Sequence, residues 1–143
     1  MVLGGLMAAA KKDLYNNYAN DKAFTASSEE LVLMLYDGAL KFANIAIMAL
    51  EKDPKDTDEK AAMAIIRVQK ILKEFQVTLD RQYAISDELY NLYDYMFRRL
   101  VKASVTKNIR IVAEVRNMIR DLRDTWKQAM LIAKKEAAST TAK

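Results

Sequence analysis

No cysteine and no histidine occur among the 143 residues. Without cysteine there is no disulfide framework, no thiolate nucleophile and no cysteine-type zinc site. Without histidine there is no Ser-His-Asp triad, no HExxH metalloprotease and none of the Glu-x-x-His di-iron sites that helical bundles carry. The three glycines, Gly4, Gly5 and Gly38, cannot make a phosphate-binding loop. Catalysis would rest on Asp, Glu, Lys or Tyr alone, and no pairing of these stands out. No enzyme activity, metal or cofactor is expected. Proline is scarce too, Pro54 being the single one. A chain so poor in helix breakers, 52% hydrophobic and 29% charged, favours long helices joined by short turns. No extended run alternates apolar and polar residues, so strands are not predicted. The fold class is all-α, and the length suits one domain with a substantial core.

The formal net charge is +4, which raises the question of nucleic acid or an anionic membrane. Most cations are interleaved with acids, as on solvated helix faces. The exception is Arg116, Arg120, Arg123 and Lys127, which share one face of the last predicted helix. Its plainer reading is an exposed face partly balanced by Asp121 and Asp124.

What the chain has in excess is a run of helical hydrophobicity at Leu31 to Leu50, where sixteen of twenty residues are apolar. The polar exceptions Asp37, Lys41 and Asn44 fall on one narrow line at helical spacing. Membrane insertion is not expected. Asp37 and Lys41 would sit in mid-span at about 2.5 to 3.5 kcal/mol each.

Taken in order, Met1 to Ala10 lacks the basic n-region of a signal peptide and reads as a flexible or weakly helical leader. Residues 13–22 hold Leu14, Tyr15 and Tyr18 at helical spacing but are too short and polar to be a helix without a docking surface. Ser27 and Glu30 form a capping box for the first helix, which runs to about Glu51. A charged turn follows, and Asp56 or Thr57 caps a second helix reaching about Gln82, with Ile65, Val68, Leu72, Phe75 and Leu79 as its core stripe. Ser86 caps a third helix that ends near Ala103. Leu89, Tyr93, Met96 and Leu100 line its centre, and Tyr90, Phe97 and Val101 extend the apolar arc to one side. Asn108 caps the fourth, Ile109 to about Lys135, which turns Val112, Val115, Ile119, Leu122, Trp126 and Ala129 inward. Short connections imply antiparallel neighbours, hence an up-down four-helix bundle over residues 25–135. Before it, residues 1–24 form a leader and a short helical or extended segment; residues 136–143 are expected to be a disordered tail.

If Asp37, Lys41 and Asn44 face water, Leu31, Leu35, Ala39, Phe42, Ala46 and Leu50 face the bundle. Leu33, Tyr36, Leu40 and Ile47 then flank the polar line with nothing to cover them. At about 25 cal/mol per Å2, burial of such a stripe is worth several kcal/mol. The candidates to cover it are an amphipathic partner helix, a second copy of the chain in a homodimer, or the Tyr15 and Tyr18 segment folding back.

Three blocks point to a family. TASSEELVLMLYDGALKF, from Thr25, closely resembles the TASPEELxxMLYDGAL signature of the flagellar secretion chaperone FliS. ELYNLYDYMFRRLVKA, from Glu88, resembles its LYDYMxRRLxxA hallmark, and VRNMIRDLRDTWKQA, from Val115, its closing EVxxLxxxLRDTWK segment. Tyr15 and Tyr18 stand where that family has an N-terminal tyrosine motif. The resemblance spans about residues 14–135 in order. Ser28 departs from the usual proline but leaves the cap intact, and the leader before Asp13 is longer than the family pattern.

The resemblance implies a cytoplasmic export chaperone that binds the C-terminal segment of flagellin, prevents premature polymerisation and keeps it competent for flagellar type III secretion. It implies that Tyr15 and Tyr18 compete with the client for its site and help to dock on a component of the export gate. Client-contact candidates are Leu33, Tyr36, Leu40 and Ile47 on the first helix and Tyr90, Phe97 and Val101 on the third. Nucleic acid is not an expected partner. A nucleic-acid adaptor using the Arg116 to Lys127 stripe would bind with steep salt dependence, and a catalytic bundle would need a carboxylate that the sequence does not nominate.

Overall fold

The computed structural model describes residues 28–52 and 54–141. These form four helices: α1 (Ser28–Glu51), α2 (Pro54–Thr78), α3 (Ala84–Thr106) and α4 (Ile109–Thr141). Each helix packs on its neighbour in sequence, and α1 also packs on α4, which closes a four-helix bundle. Cross-links run in opposite directions along paired helices. Gln69 Nε2 donates to the Phe97 carbonyl and Gln76 Nε2 to the Tyr90 carbonyl, so α2 and α3 are antiparallel. Asp37 meets Arg123 and Asn44 meets Arg116, so α1 and α4 are antiparallel as well. The predicted all-α bundle is the observed one.

The four helices bury one another's apolar faces. The core stripe read on α2 is buried throughout, as are Tyr93, Met96 and Leu100 of α3 and Val112, Val115 and Ile119 of α4. Helix α1 is long and apolar enough by composition to cross a membrane. Its inner surface, including Leu31, Leu35, Ala39, Ala43 and Ala46, is instead part of the bundle core.

Helix ends depart from the sequence reading at both ends of α2 and α3 and at the end of α4. Helix α2 starts at Pro54 and not after a cap at Asp56 or Thr57; proline suits the first helical position, where its missing N–H is not needed and its φ is already helical. It stops at Thr78, short of Gln82, and Thr78 Oγ1 folds back onto the carbonyls of Glu74 and Phe75. Helix α3 begins at Ala84, with an extended Tyr83 as N-cap. Ser86 is not the cap: it is fully buried in the first turn, where its hydroxyl donates to the Asp80 carbonyl and ties down the connection. Asp80 in turn accepts from the Gln82 amide and side chain, which holds its carboxyl below the ordinary range.

Helix α3 runs to Thr106 and ends on Lys107 in the left-handed region at φ 54°, ψ 41°. Asn108 caps α4 as predicted, its Oδ1 accepting from the amides of Arg110 and Ile111. Helix α4 then continues through residues 136–141, where a disordered tail was expected. Glu136, Ala137 and Ala138 favour helix continuation, and neither glycine nor proline stops it. Trp126 Nε1 donates to the Glu29 carbonyl at 3.0 Å, so Trp126 sits at the start of α1 and the rest of α4 projects beyond it. That explains why Ala129, assigned inward by its spacing, is exposed.

Candidate binding surface

The surplus apolar surface of α1 lies on the opposite flank from the one predicted. Asp37 and Asn44 do not mark an open polar line; they face α4. Arg123 Nε lies 2.8 Å from Asp37 Oδ1, an ion pair without the alignment of a hydrogen bond. Arg116 Nη1 donates to Asn44 Oδ1 at 3.2 Å. With α4 on that side, Tyr36 and Ile47 are buried in the core, and Leu33 and Leu40 are half-buried. The sequence reading placed all four on an uncovered flank because one helical wheel shows which residues are polar but not whether a neighbour supplies the matching charges. The same contacts revise the basic stripe: Arg116 and Arg123 hold α1 to α4, and Arg123 also reaches Asp124 at 3.1 Å.

The other flank of α1 carries Phe42 and Ile45, both half-buried against α2. Phe42, assigned to the interior by its spacing, lines two adjoining grooves. One, of about 540 Å3, runs between α1 and the first half of α2, with Ile45, Met63, Ala64 and Arg67. The second, of about 510 Å3, passes over the outward face of α2 from Phe42 to Phe97 of α3 and takes in Ile66, Ile71, Lys70, Lys73 and Val77. Met63, Ile66 and Val77 are exposed at 53%, 44% and 79%. They are large apolar side chains grouped on one helix face, not scattered singly, the arrangement that marks an interaction site.

Sequence reasoning missed these three, although the signal was available. Met63, Ile66, Lys70, Lys73 and Val77 follow one another at spacings of three and four residues along α2, opposite its core stripe. Of the α3 residues predicted as contacts, Phe97 lines the second groove. Tyr90 and Phe97 are half-buried along the α2–α3 seam, and Val101 is 47% exposed. Tyr15 and Tyr18 lie outside the described residues.

Cations from α2 and the loop after it lie over the aromatic rings of the seams. Arg67 Cζ is 5.6 Å from the Phe42 ring centre, Lys73 Nζ 4.5 Å from that of Phe97, and Arg81 Cζ 4.5 Å from that of Tyr90. Their aliphatic stems cover apolar surface while the charged heads stay in water. On the α3–α4 side the surface is closed differently. Glu114 accepts from Arg99 at 3.0 and 3.2 Å and from Tyr95 at 2.9 Å, and these donors hold its carboxyl below the usual range. The described surface thus offers an apolar docking face with a cationic border centred on α2, the chemistry of a site that binds another polypeptide.

Comparison with known proteins agrees with the sequence blocks. The family model described as flagellar protein FliS matches residues 11–134. The Bacillus subtilis flagellar secretion chaperone FliS is 38% identical over 122 residues, covering 85% of this chain and 90% of that one. The Salmonella typhimurium flagellar secretion chaperone FliS is 33% identical over 107 residues, covering 73% and 77% respectively. With most of its length matched in both comparisons and its helices built from the same blocks, the chain belongs to the flagellar secretion chaperone FliS family.

Proposed function

We propose that this chain is a cytoplasmic, non-enzymatic export chaperone that holds the C-terminal segment of flagellin, blocks its premature polymerisation and keeps it competent for flagellar type III secretion. The observation that carries the reading is the apolar surface that wraps α2, from Phe42 and Ile45 across Met63, Ile66 and Val77 to Phe97, with Tyr90 and Val101 beside it. A filament-forming segment has to hide an apolar helical stripe before assembly, and a long exposed groove receives such a stripe as a helix. Tyr36 and Ile47 support this surface from the core rather than touching the client, and Leu33 and Leu40 form a lesser contact near α4. The segment holding Tyr15 and Tyr18 competes for the surface and docks on the export gate. In the absence of client, the same apolar surface gives the protein a route to a homodimer.

Titration of a flagellin C-terminal fragment into the protein tests this. Calorimetry should give a 1:1 complex, and circular dichroism should show helix gained by the fragment. Ile66→Gln and Val101→Gln, which remove apolar contact without adding charge, should each weaken binding by about tenfold, as expected for anchor side chains worth 1 to 2 kcal/mol. No heat and no helicity gain at tens of micromolar would end the proposal.

A further inference from the structure

Three cations on the outward face of α2, Arg67, Lys70 and Lys73, line the apolar groove and hold no carboxylate among the described residues. Lys41, Lys102, Arg110 and Arg120 hold none either, but they lie away from the groove, and it is their place along it that sets the three apart. Arg81, Arg98, Arg99 and Arg123 each lie within 3.0 Å of a carboxylate oxygen. Among the described residues that line the groove the single acid is Glu74, so three positive charges face one negative there. Two of the three cations rest on aromatic rings that form the groove walls, Arg67 on Phe42 and Lys73 on Phe97.

From this arrangement we propose that the groove selects an amphipathic client helix whose apolar stripe is bordered by carboxylates, with Arg67, Lys70 and Lys73 as the cations that recognise them. The inference rests on the docking role proposed for this surface and adds the chemistry of the partner. In the free protein the side chains of Arg67 and Lys73 cover Phe42 and Phe97. A cation over an aromatic ring at an exposed site is worth only about two- to fivefold in an equilibrium. A carboxylate brought to the same cation at a partly desolvated interface holds it more strongly. An acidic client therefore draws the cation off the ring, and its own apolar side chain takes the uncovered ring face. The exchange leaves neither the aromatic exposed nor the cation unpaired. A nucleic acid would satisfy the cations but leave Ile66, Val77 and the rest of the apolar floor against a charged backbone, so the mixed floor and border favour a protein helix.

The test uses the full chain and a flagellin C-terminal fragment. In one variant Arg67→Met, Lys70→Met and Lys73→Met are combined, which keeps the aliphatic bulk and removes the charge. Binding of the fragment should fall by roughly tenfold or more, and its salt dependence should flatten. A fragment with its Asp and Glu changed to Asn and Gln should bind the unaltered protein more weakly by a similar factor, and should lose nothing further on the triple variant. Unchanged or tighter binding by the triple variant overturns the inference, as does equal binding of the acidic and amide fragments. If Ile66→Gln weakens binding while the triple variant does not, the docking surface stands and only its charge selectivity falls. If neither variant matters, both fall. Binding of a single-stranded oligonucleotide that the triple variant abolishes, with fragment binding intact, would assign the cations to another partner and would also overturn it.

Discussion

The hydroxyls of Tyr36 on α1 and Tyr93 on α3 lie 3.0 Å apart at the centre of the bundle. The ring of Phe75 from α2 stands beside both, 4.6 Å from the Tyr36 ring centre and 5.3 Å from that of Tyr93. Each tyrosine is the middle residue of a Leu-Tyr-Asp triplet, 35–37 and 92–94. The triplets that carry the family resemblance therefore meet in the core, and their tyrosines hold two non-adjacent helices together. The repeated triplet carries a structural duty, one buried polar bond in an apolar interior.

That bond predicts a non-additive mutant cycle. Tyr36→Phe or Tyr93→Phe alone leaves a buried hydroxyl without its partner, at a cost of about 1 to 3 kcal/mol. The double Phe variant removes both polar groups and should be less destabilised than the two single effects added together. Burial pushes both phenols above their ordinary pKa. Their stabilising contribution is thus complete below about pH 10, where tyrosine in the unfolded chain titrates, and is lost as pH rises beyond it. Urea unfolding of the four proteins at neutral and alkaline pH checks both points; strict additivity would mean that the hydroxyls do not act as a pair.

A second prediction concerns acid. Arg99, with Tyr95 adding to it, holds the Glu114 carboxyl below the ordinary glutamate range. A depressed folded pKa contributes stability that is present above the unfolded value, about 4.3, and lost as pH falls through the folded one. Glu114→Gln lacks this contribution at every pH. The melting temperatures of the two proteins should differ at neutral pH and converge as pH drops below about 4. A constant gap across the range would show that the cluster contributes packing rather than charge.

Much of the bundle was legible in the sequence because core stripes are a property of one helix at a time. The α2 stripe from Ile65 to Leu79 is buried as read, and Asn108 caps as read. The binding surface was legible only in part, because exposure is a property of neighbours. Tyr36 and Ile47 looked uncovered until Arg123 and Arg116 brought α4 over that flank. Met63, Ile66 and Val77 were overlooked because lysines interrupt their row, yet those lysines are what border the groove. Ser86 shows the same limit at a helix end: a residue type suited to capping was used instead to hold the Asp80 carbonyl.

Gly38, inside the LYDG block, offers a prediction against its appearance. It is helical without a positive φ, and a Cβ placed there would meet only Ile71 Cδ1 at 3.8 Å, ordinary contact distance. Nothing in the geometry requires glycine. Gly38→Ala should stabilise the protein by up to about 1 kcal/mol through helix propensity, read as a higher urea midpoint with unchanged slope. A loss of stability would show that α1 and α2 approach more closely in solution than this spacing allows.

The last prediction lies in the turn between α3 and α4. Lys107 is the only non-glycine residue with positive φ among those described. Its amide and that of Asn108 both donate to the Ala103 carbonyl, which closes the end of α3. A left-handed conformation crowds Cβ against the backbone at a cost of about 1 kcal/mol or more, and glycine escapes it. The Lys107 side chain is exposed, so its removal opens no cavity in the core, and Lys107→Gly and Lys107→Ala give up the same side-chain interaction. Lys107→Gly should therefore be the more stable of the two by about 0.5 to 1 kcal/mol, offset in part by the greater freedom of glycine in the unfolded chain. Lys107→Val, with a branched Cβ in the same conformation, should be less stable than either. Denaturation midpoints in the order Gly, Ala, Val would establish that this residue is held left-handed in solution, and equal midpoints would show that the turn relaxes to another conformation.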